Sequence, residues 1–143
     1  MKIVLDTNIF NWLVDDRFDL SALPPGSSLV ATLVQLRELE ATTKPPGRRE
    51  KLLVMFEAVA PDIEPAAFSW DVPGAGWGEG AWSSDARITE IREALDARKP
   101  KSNNMQDALI AGVALRDGYA LATADTILAD VAERFGIRVH SVK

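Results

Sequence analysis

The sequence predicts an α/β protein whose parallel sheet is covered by helices on both faces. Three observations carry that expectation. Short apolar runs rich in β-branched residues alternate with longer segments of helical period. Gly and Pro punctuate the ends of many of those segments. The length, 143 residues, suits one domain spanning 1–143. A chain of about that size buries about 68–70% of its unfolded surface, enough for a core without staples.

Taken in order, Ile3–Val4–Leu5 reads as a buried strand. Asp6-Thr7-Asn8 ends it, and Ile9 to Val14 reads as a helix with Asn8 in the capping position. Pro24-Pro25-Gly26 is a loop, Ser28 to Thr32 a second strand, and Leu33 to Ala41 a short helix. Pro45-Pro46-Gly47 breaks the chain before a helix over Arg48 to Ala60, with Leu52, Leu53, Phe56 and Val59 on one side. Ala66 to Val72 reads as a third strand, and Gly74 to Gly80 as a Gly/Trp loop. Asp85 to Arg98 is amphipathic, with Ile88, Ile91 and Leu95 at helical spacing. Met105 to Asp117 is a helix closed by Gly118, and Ala120 to Thr123 a strand. Thr126 to Phe135 is a helix closed by Gly136, and Ile137 to Val142 is the last strand. In such sheets ligands sit beyond the carboxyl ends of the strands, where the strand order reverses.

Composition removes several chemistries. The absence of Cys excludes disulfides, thiolate zinc sites, iron–sulfur ligation and cysteine nucleophiles. A single His, His140, excludes a multi-histidine metal site. A net charge of −5 argues against a bulk nucleic-acid coater, and leaves room for an enzyme that meets phosphates through metal ions. The apolar run Leu109 to Leu115 falls far short of the about 20 residues of a spanning helix. The five residues before Asp6 are too few for an export signal. No membrane association and a cytoplasmic location are therefore expected.

Four carboxylates stand out. Asp6 directly follows the first strand, where this architecture puts its chemistry; capping the first helix explains it equally well. Asp107 opens a helix that is apolar on every face from Ala108 to Leu115. A carboxylate there must be neutralised, hydrogen-bonded or metal-bound. The bland account is a capping box in which Asn104 caps and Asp107 reaches back. Asp125 follows a strand and precedes a helix, so it is a plain N-cap or a second strand-end acid. Glu38 lies about 200° from Leu36 on a helical wheel, which makes it a surface residue by periodicity and Glu40 its competitor.

Other features tempt less. Asp15-Asp16-Arg17-Phe18-Asp19 spells a metal–diphosphate signature of large helical synthases, but reads here as a solvated loop. The Gly74–Gly80 stretch has Glu79 where a dinucleotide fingerprint needs Gly. Trp77 and Trp82 suit either base stacking or packing of that loop. No Gly-x-Ser-x-Gly occurs, and His140 reads as structural or exposed. Lys44, Arg48, Arg49 and Lys51, and Arg98, Lys99 and Lys101, flank two breakers as solvated helix ends that are also suited to guiding a phosphate backbone.

Together these segments resemble the PIN-domain family, in its VapC-type toxin group. Ile3–Phe10, IVLDTNIF, resembles the first family motif; Gln35–Leu39, QLREL, resembles the second and selects Glu38 over Glu40. Asn103–Leu115, NNMQDALIAGVAL, resembles the third, centred on Asp107, and Leu121–Asp125, LATAD, the fourth, with Thr123 and Asp125. The similarity runs in order along nearly the whole chain; residues 61–84 match no motif. It implies a three-layer sandwich with a five-stranded parallel sheet of order 3-2-1-4-5, reversing between the strands that lead to Asp6 and Asp125. It implies a metal-dependent endoribonuclease with Asp6, Glu38, Asp107 and Asp125 as catalytic residues. Asp6, Asp107 and Asp125 would hold Mg²⁺ or Mn²⁺, since hard oxygen ligands suit those ions. Glu38 would orient or deprotonate water, or help hold a second ion, and Thr7, Asn8 and Thr123 would aim the carboxylates. It further implies an RNA substrate, a cognate antitoxin and a homodimer.

The alternatives are a PIN nuclease outside any toxin–antitoxin pair, a non-catalytic scaffold, a receiver domain and a haloacid-dehalogenase-like phosphatase. The phosphatase needs a second Asp where Asn8 stands, the receiver a late strand-end Lys, and a scaffold would be expected to lose acids.

Overall fold

The computed structural model describes residues 1–66 and 86–142. Five strands form one parallel sheet: β1 (Lys2–Leu5), β2 (Ser28–Ala31), β3 (Asp62–Ile63), β4 (Ala120–Thr123) and β5 (Val139–Ser141). Their order is β3-β2-β1-β4-β5, as expected. Six helices accompany them: α1 (Thr7–Val14), α2 (Leu33–Glu40), α3 (Arg48–Val59), α4 (Ala86–Arg98), α5 (Asn104–Asp117) and α6 (Thr126–Arg134).

The strand period of two splits the apolar residues between the two faces. Val4, Val30 and Leu121 pack with α4, α5 and α6 through Ile91, Leu95, Ile110 and Leu128. Ile3, Leu5, Ala31, Ala120 and Ala122 pack with α1 and α3 through Ile9, Phe10, Leu52 and Phe56. The apolar α5 lies at the centre of the first layer, and Gly112 lets α4 approach: a Cβ there would stand 2.9 Å from Cγ1 of Ile88.

Two expectations fail. The third strand is Asp62–Ile63, not Ala66 to Val72: Ala66 lies outside any strand, and 67–72 fall outside the described residues, as do the Gly74–Gly80 loop, Trp77 and Trp82. Both β3 residues are exposed, so their two-residue run carries no apolar pattern to read. The first helix starts at Thr7 with Asp6, not Asn8, as its cap, because the Asp6 carboxylate accepts from the Thr7 amide at 2.8 Å.

The β1–β4 pairing positions the site. Leu5 lies in register with Ala122, and the Asp6 amide continues the ladder to the Ala122 carbonyl at 2.9 Å. Asp6 and Thr123 therefore leave adjacent strands side by side, at the point where the sheet order reverses.

Candidate active site

The strand ends of β1 and β4, the N-terminus of α5 and one face of α2 enclose a recess of about 210 Å³. Asp6, Thr7, Asn8, Glu38, Asn103, Asp107 and Asp125 line it. The four carboxylates singled out from the sequence thus come together at one place. A larger cavity of about 610 Å³ lies at the other end of the sheet, by Tyr119 and Arg138. Its charged side chains, Glu133 and Arg138, are exposed, so it offers none of the buried acid chemistry of the smaller recess.

Asp6 is held at both oxygens. Oδ1 accepts from the Thr7 amide at 2.8 Å, and Oδ2 accepts from the Thr123 hydroxyl at 2.7 Å. Burial pushes its carboxyl up to about 6; those two hydrogen bonds pull the other way, and the Asp125 charge adds to the rise.

Asp107 is 6% exposed and accepts no hydrogen bond from a described residue. The capping box does not form: the α5 cap is Asn103, and the Asn104 side chain donates instead to Asp96 Oδ1 at 2.7 Å and the Lys99 carbonyl at 3.0 Å. Burial first, and then repulsion from Asp6, push the Asp107 carboxyl up to about 8, with Glu38 and Asp125 adding to it.

Asp125 is both a cap and a wall of the recess. Its Oδ1 accepts from the amides of Ile127 at 2.9 Å and Leu128 at 3.1 Å, while Oδ2 faces Lys101 Nζ at 3.2 Å. Burial works against its charge, but the Leu128 amide and Lys101 outweigh that and hold the carboxyl below its usual value.

Glu38 points inward, against the helical wheel. The buried residues of α2 are Val34, Gln35 and Leu39. At about 100° per residue Glu38 falls between Val34 and Gln35, whereas Leu33 and Leu36 lie off that arc. The Thr7 hydroxyl donates to Glu38 Oε1 at 2.9 Å. Burial and the Asp6 charge raise its carboxyl to about 7. Glu40 is exposed and pairs with Arg37 at 2.6 Å.

Of the three expected positioning residues, Thr7 and Thr123 donate to carboxylates. Asn8 does something else: its Oδ1 accepts from the Ala124 amide at 3.3 Å and braces the turn before Asp125. Gln35, to which the sequence assigned no role, is fully buried, donates from Nε2 to the Leu5 carbonyl at 2.9 Å, and accepts from the Thr32 amide at 2.9 Å and from the Thr32 hydroxyl. It fixes α2 to the residue before Asp6. The Thr32-x-x-Gln35 capping box was the signal available for it.

Lys101 was also missed. Its ammonium lies 3.2 Å from Asp125 and 3.7 Å from Asp107. Burial disfavours its charge, but Asp107 and Asp125 outweigh burial and raise the Lys101 pKa. A protonated Asp107 carboxyl gives the ammonium little, so its hold on Lys101 is the weaker of the two. The shorter contact and the depressed Asp125 carboxyl make Asp125 the firm partner.

Two other acids singled out from the sequence have structural partners. Asp15 pairs with Arg48 at 2.6 Å, and Asp19 accepts from the Ser21 amide at 2.8 Å to cap a 3-10 turn. His140 lies on β5, away from the recess lining.

Oxygen donors without Cys or His suit a hard divalent cation such as Mg²⁺ or Mn²⁺. Among the described residues no three carboxylate, His or Cys side chains converge closely enough to hold an ion as they stand. Asp107 and Asp125 instead each turn Oδ2 to the Lys101 ammonium. The donor chemistry fits the ion; the side-chain placement is that of a site engaged with its own lysine.

No protein-family model matches this sequence, and no curated protein matches it. Solved structures do. A chain of VapBC2 from Rickettsia felis, bound to a DNA fragment from their promoter, is 18% identical with a TM-score of 0.59, covering 100% of both chains. VapBC-5 from Mycobacterium tuberculosis, a member of the VapBC family of toxin–antitoxin systems, is 22% identical with a TM-score of 0.58, over 99% of this chain and 98% of that one. FitAcB from Neisseria gonorrhoeae is 18% identical with a TM-score of 0.55, over 97% of this chain and 96% of that one. At such identities the likeness establishes the fold: this chain has the PIN-like α/β fold of VapBC toxin–antitoxin structures. Among the described residues no helix is long and apolar enough to cross a membrane.

Proposed function

We propose that this chain is a metal-dependent endoribonuclease, the toxin of a toxin–antitoxin pair. The observation that carries the reading is the meeting of Asp6, Glu38, Asp107 and Asp125 in one recess at the sheet's reversal point. Three of those carboxyls are raised by burial and by one another, the signature of acids gathered for chemistry rather than for packing.

In this reading Asp6 and Asp107 hold Mg²⁺ or Mn²⁺, with Asp125 sharing it. The ion, when bound, supplies Lewis acidity, neutralising phosphate charge and easing deprotonation of water. Thr7 and Thr123 keep the Asp6 carboxylate aimed. Glu38, with its carboxyl near 7, is suited to take the proton of the attacking water. A bond forms between that water oxygen and phosphorus as the bond from phosphorus to the 3′ oxygen breaks. The leaving oxygen takes a proton from solvent, giving 5′-phosphate and 3′-hydroxyl ends.

The VapBC neighbours support an antitoxin partner for this chain; a homodimer and a cytoplasmic location belong to the same proposal. Identities of 18% to 22% carry the fold and not the pairing, so a PIN nuclease without an antitoxin is the second reading. Purified protein is expected to cleave RNA with Mg²⁺ or Mn²⁺, to stop with chelator, and to lose activity on Asp107→Asn with its fold intact. Cleavage retained by that variant overturns the assignment. Co-expression of any small reading frame found immediately upstream, with relief of growth arrest as the readout, separates the two readings.

A further inference from the structure

We propose that Lys101 is a tethered cation that competes with the divalent ion for Asp107 and Asp125, and so sets how tightly that ion binds. The inference rests on the metal-site reading above. Its geometry is that of one ammonium facing two carboxylates of the recess, at 3.2 Å from Asp125 Oδ2 and 3.7 Å from Asp107 Oδ2.

Lys101 is not a free surface arm. Its side chain is 27% exposed, and it stands on the short connection between α4 and α5. That connection is fastened at several points. The Lys99 amide donates to the Leu95 carbonyl at 2.9 Å, and the Asn104 amide donates to the Lys101 carbonyl at 3.3 Å. The side chain of Asn104, itself 1% exposed, ties the Lys99 carbonyl and Asp96 together. The backbone beneath Lys101 is therefore bolted to the end of α4, with both carboxylates within the ammonium's reach. Other cations pair outside the recess: Arg48 with Asp15, Arg98 with Asp130, Arg116 with Asp117.

A cation held between two carboxylates does two things. It offsets part of the negative charge that the recess gathers when no ion is bound. It also repels an incoming divalent ion, which must displace it from Asp125 to gain that oxygen. Metal affinity is then lower than the same acids would give alone, and the metal-free fold is steadier.

The test is calorimetric titration of chelator-treated protein with Mn²⁺ alone. Lys101→Met is expected to tighten the dissociation constant by about fivefold or more, a coupling of ordinary size between interacting sites. Lys101→Arg keeps the charge and is expected to stay near wild type, and so is the surface control Lys99→Met. Metal-free Lys101→Met is expected to melt lower than wild type and to gain more on adding Mn²⁺. Specific binding of Mn²⁺ with unchanged or weaker affinity in Lys101→Met overturns the role of Lys101 and leaves the metal site standing. Absence of specific Mn²⁺ binding in wild type and variant alike overturns the metal site, and the inference with it. Should Lys101→Met not fold, Lys101→Gln is read by the same criteria.

Discussion

The hydroxyl of Thr123 donates a 2.7 Å hydrogen bond to Oδ2 of Asp6, from the end of one strand to the end of its neighbour. The same hydroxyl oxygen accepts from the Asp125 amide at 3.0 Å. One buried side chain thus orients one carboxylate of the recess and the backbone of another. Thr123→Val keeps the shape and removes both contacts. It is expected to cost about 1–3 kcal/mol by urea unfolding, and to lower cleavage about 10–100-fold. Thr123→Ser should restore most of each. Full activity in the valine variant would show that Asp6 needs no such support.

The metal-free protein should lose stability as pH rises. The folded state holds the carboxyls of Asp6, Glu38 and Asp107 at about 6, 7 and 8. Unfolded Asp and Glu release their protons near about 4. Below that pH both states are protonated and nothing is lost. Between about 4 and about 8 the folded state keeps protons that the unfolded state has released, so each step up in pH favours unfolding. Urea midpoints in chelator should fall across that window, and Asp107→Asn should flatten the fall. A midpoint that stays level or climbs contradicts the raised carboxyls.

Metal should be visible in melting curves. At 100 times its dissociation constant, Mn²⁺ should stabilise wild type by about 2.7 kcal/mol. For a chain of this size that is a rise on the order of 5–15 °C. Asp6→Asn should show a much smaller rise at the same concentration. Asp107→Asn should leave the metal-free fold equal or more stable, because this carboxylate accepts no hydrogen bond from a described residue and faces its neighbours' charge. Identical metal responses in wild type and Asp6→Asn would sink the shared site.

The two glutamates of α2 should separate cleanly. Glu38→Gln removes the proton acceptor and is expected to slow cleavage by about 10²–10⁴. Glu40→Gln breaks only an exposed pair with Arg37 and should leave the rate within about twofold. In cells, Glu38→Gln should relieve growth arrest and Glu40→Gln should not. Equal arrest by wild type and Glu38→Gln would mean that the wrong glutamate carries the role.

What was legible in the sequence follows from how local each signal is. Asp6 and Asp125 were visible because strand ends are local, and Asp107 because an acid at the head of an apolar helix is anomalous by itself. Glu38 is invisible to periodicity: a wheel referred to Leu36 puts it outside, whereas Leu36 is only partly buried and the buried arc runs through Val34, Gln35 and Leu39. Motif resemblance recovered it. Gln35 and Lys101 depend on partners that the fold brings in, the Leu5 carbonyl and the carboxylates of two other segments. Nothing next to Lys101 announces it, and the Thr32-x-x-Gln35 capping box announces a helix start but not the bond to Leu5. β3 escaped because two exposed residues paired with Val30 and Ala31 owe their strand to the neighbour, not to their own composition.

Thr123 stands 117 residues after Asp6 in the chain, and β4 is nevertheless the immediate neighbour of β1. Synthesis at about 5–20 residues per second separates the two by on the order of ten seconds. Until Asp107 is added, late in that interval, the nascent chain has at most Asp6 and Glu38 of the four acids, and it lacks throughout the hydroxyl that aims the first. The recess is therefore incomplete on the ribosome until the fourth strand has emerged and docked. Were the proposed antitoxin to bind the early segments, that delay would give it time to arrive first.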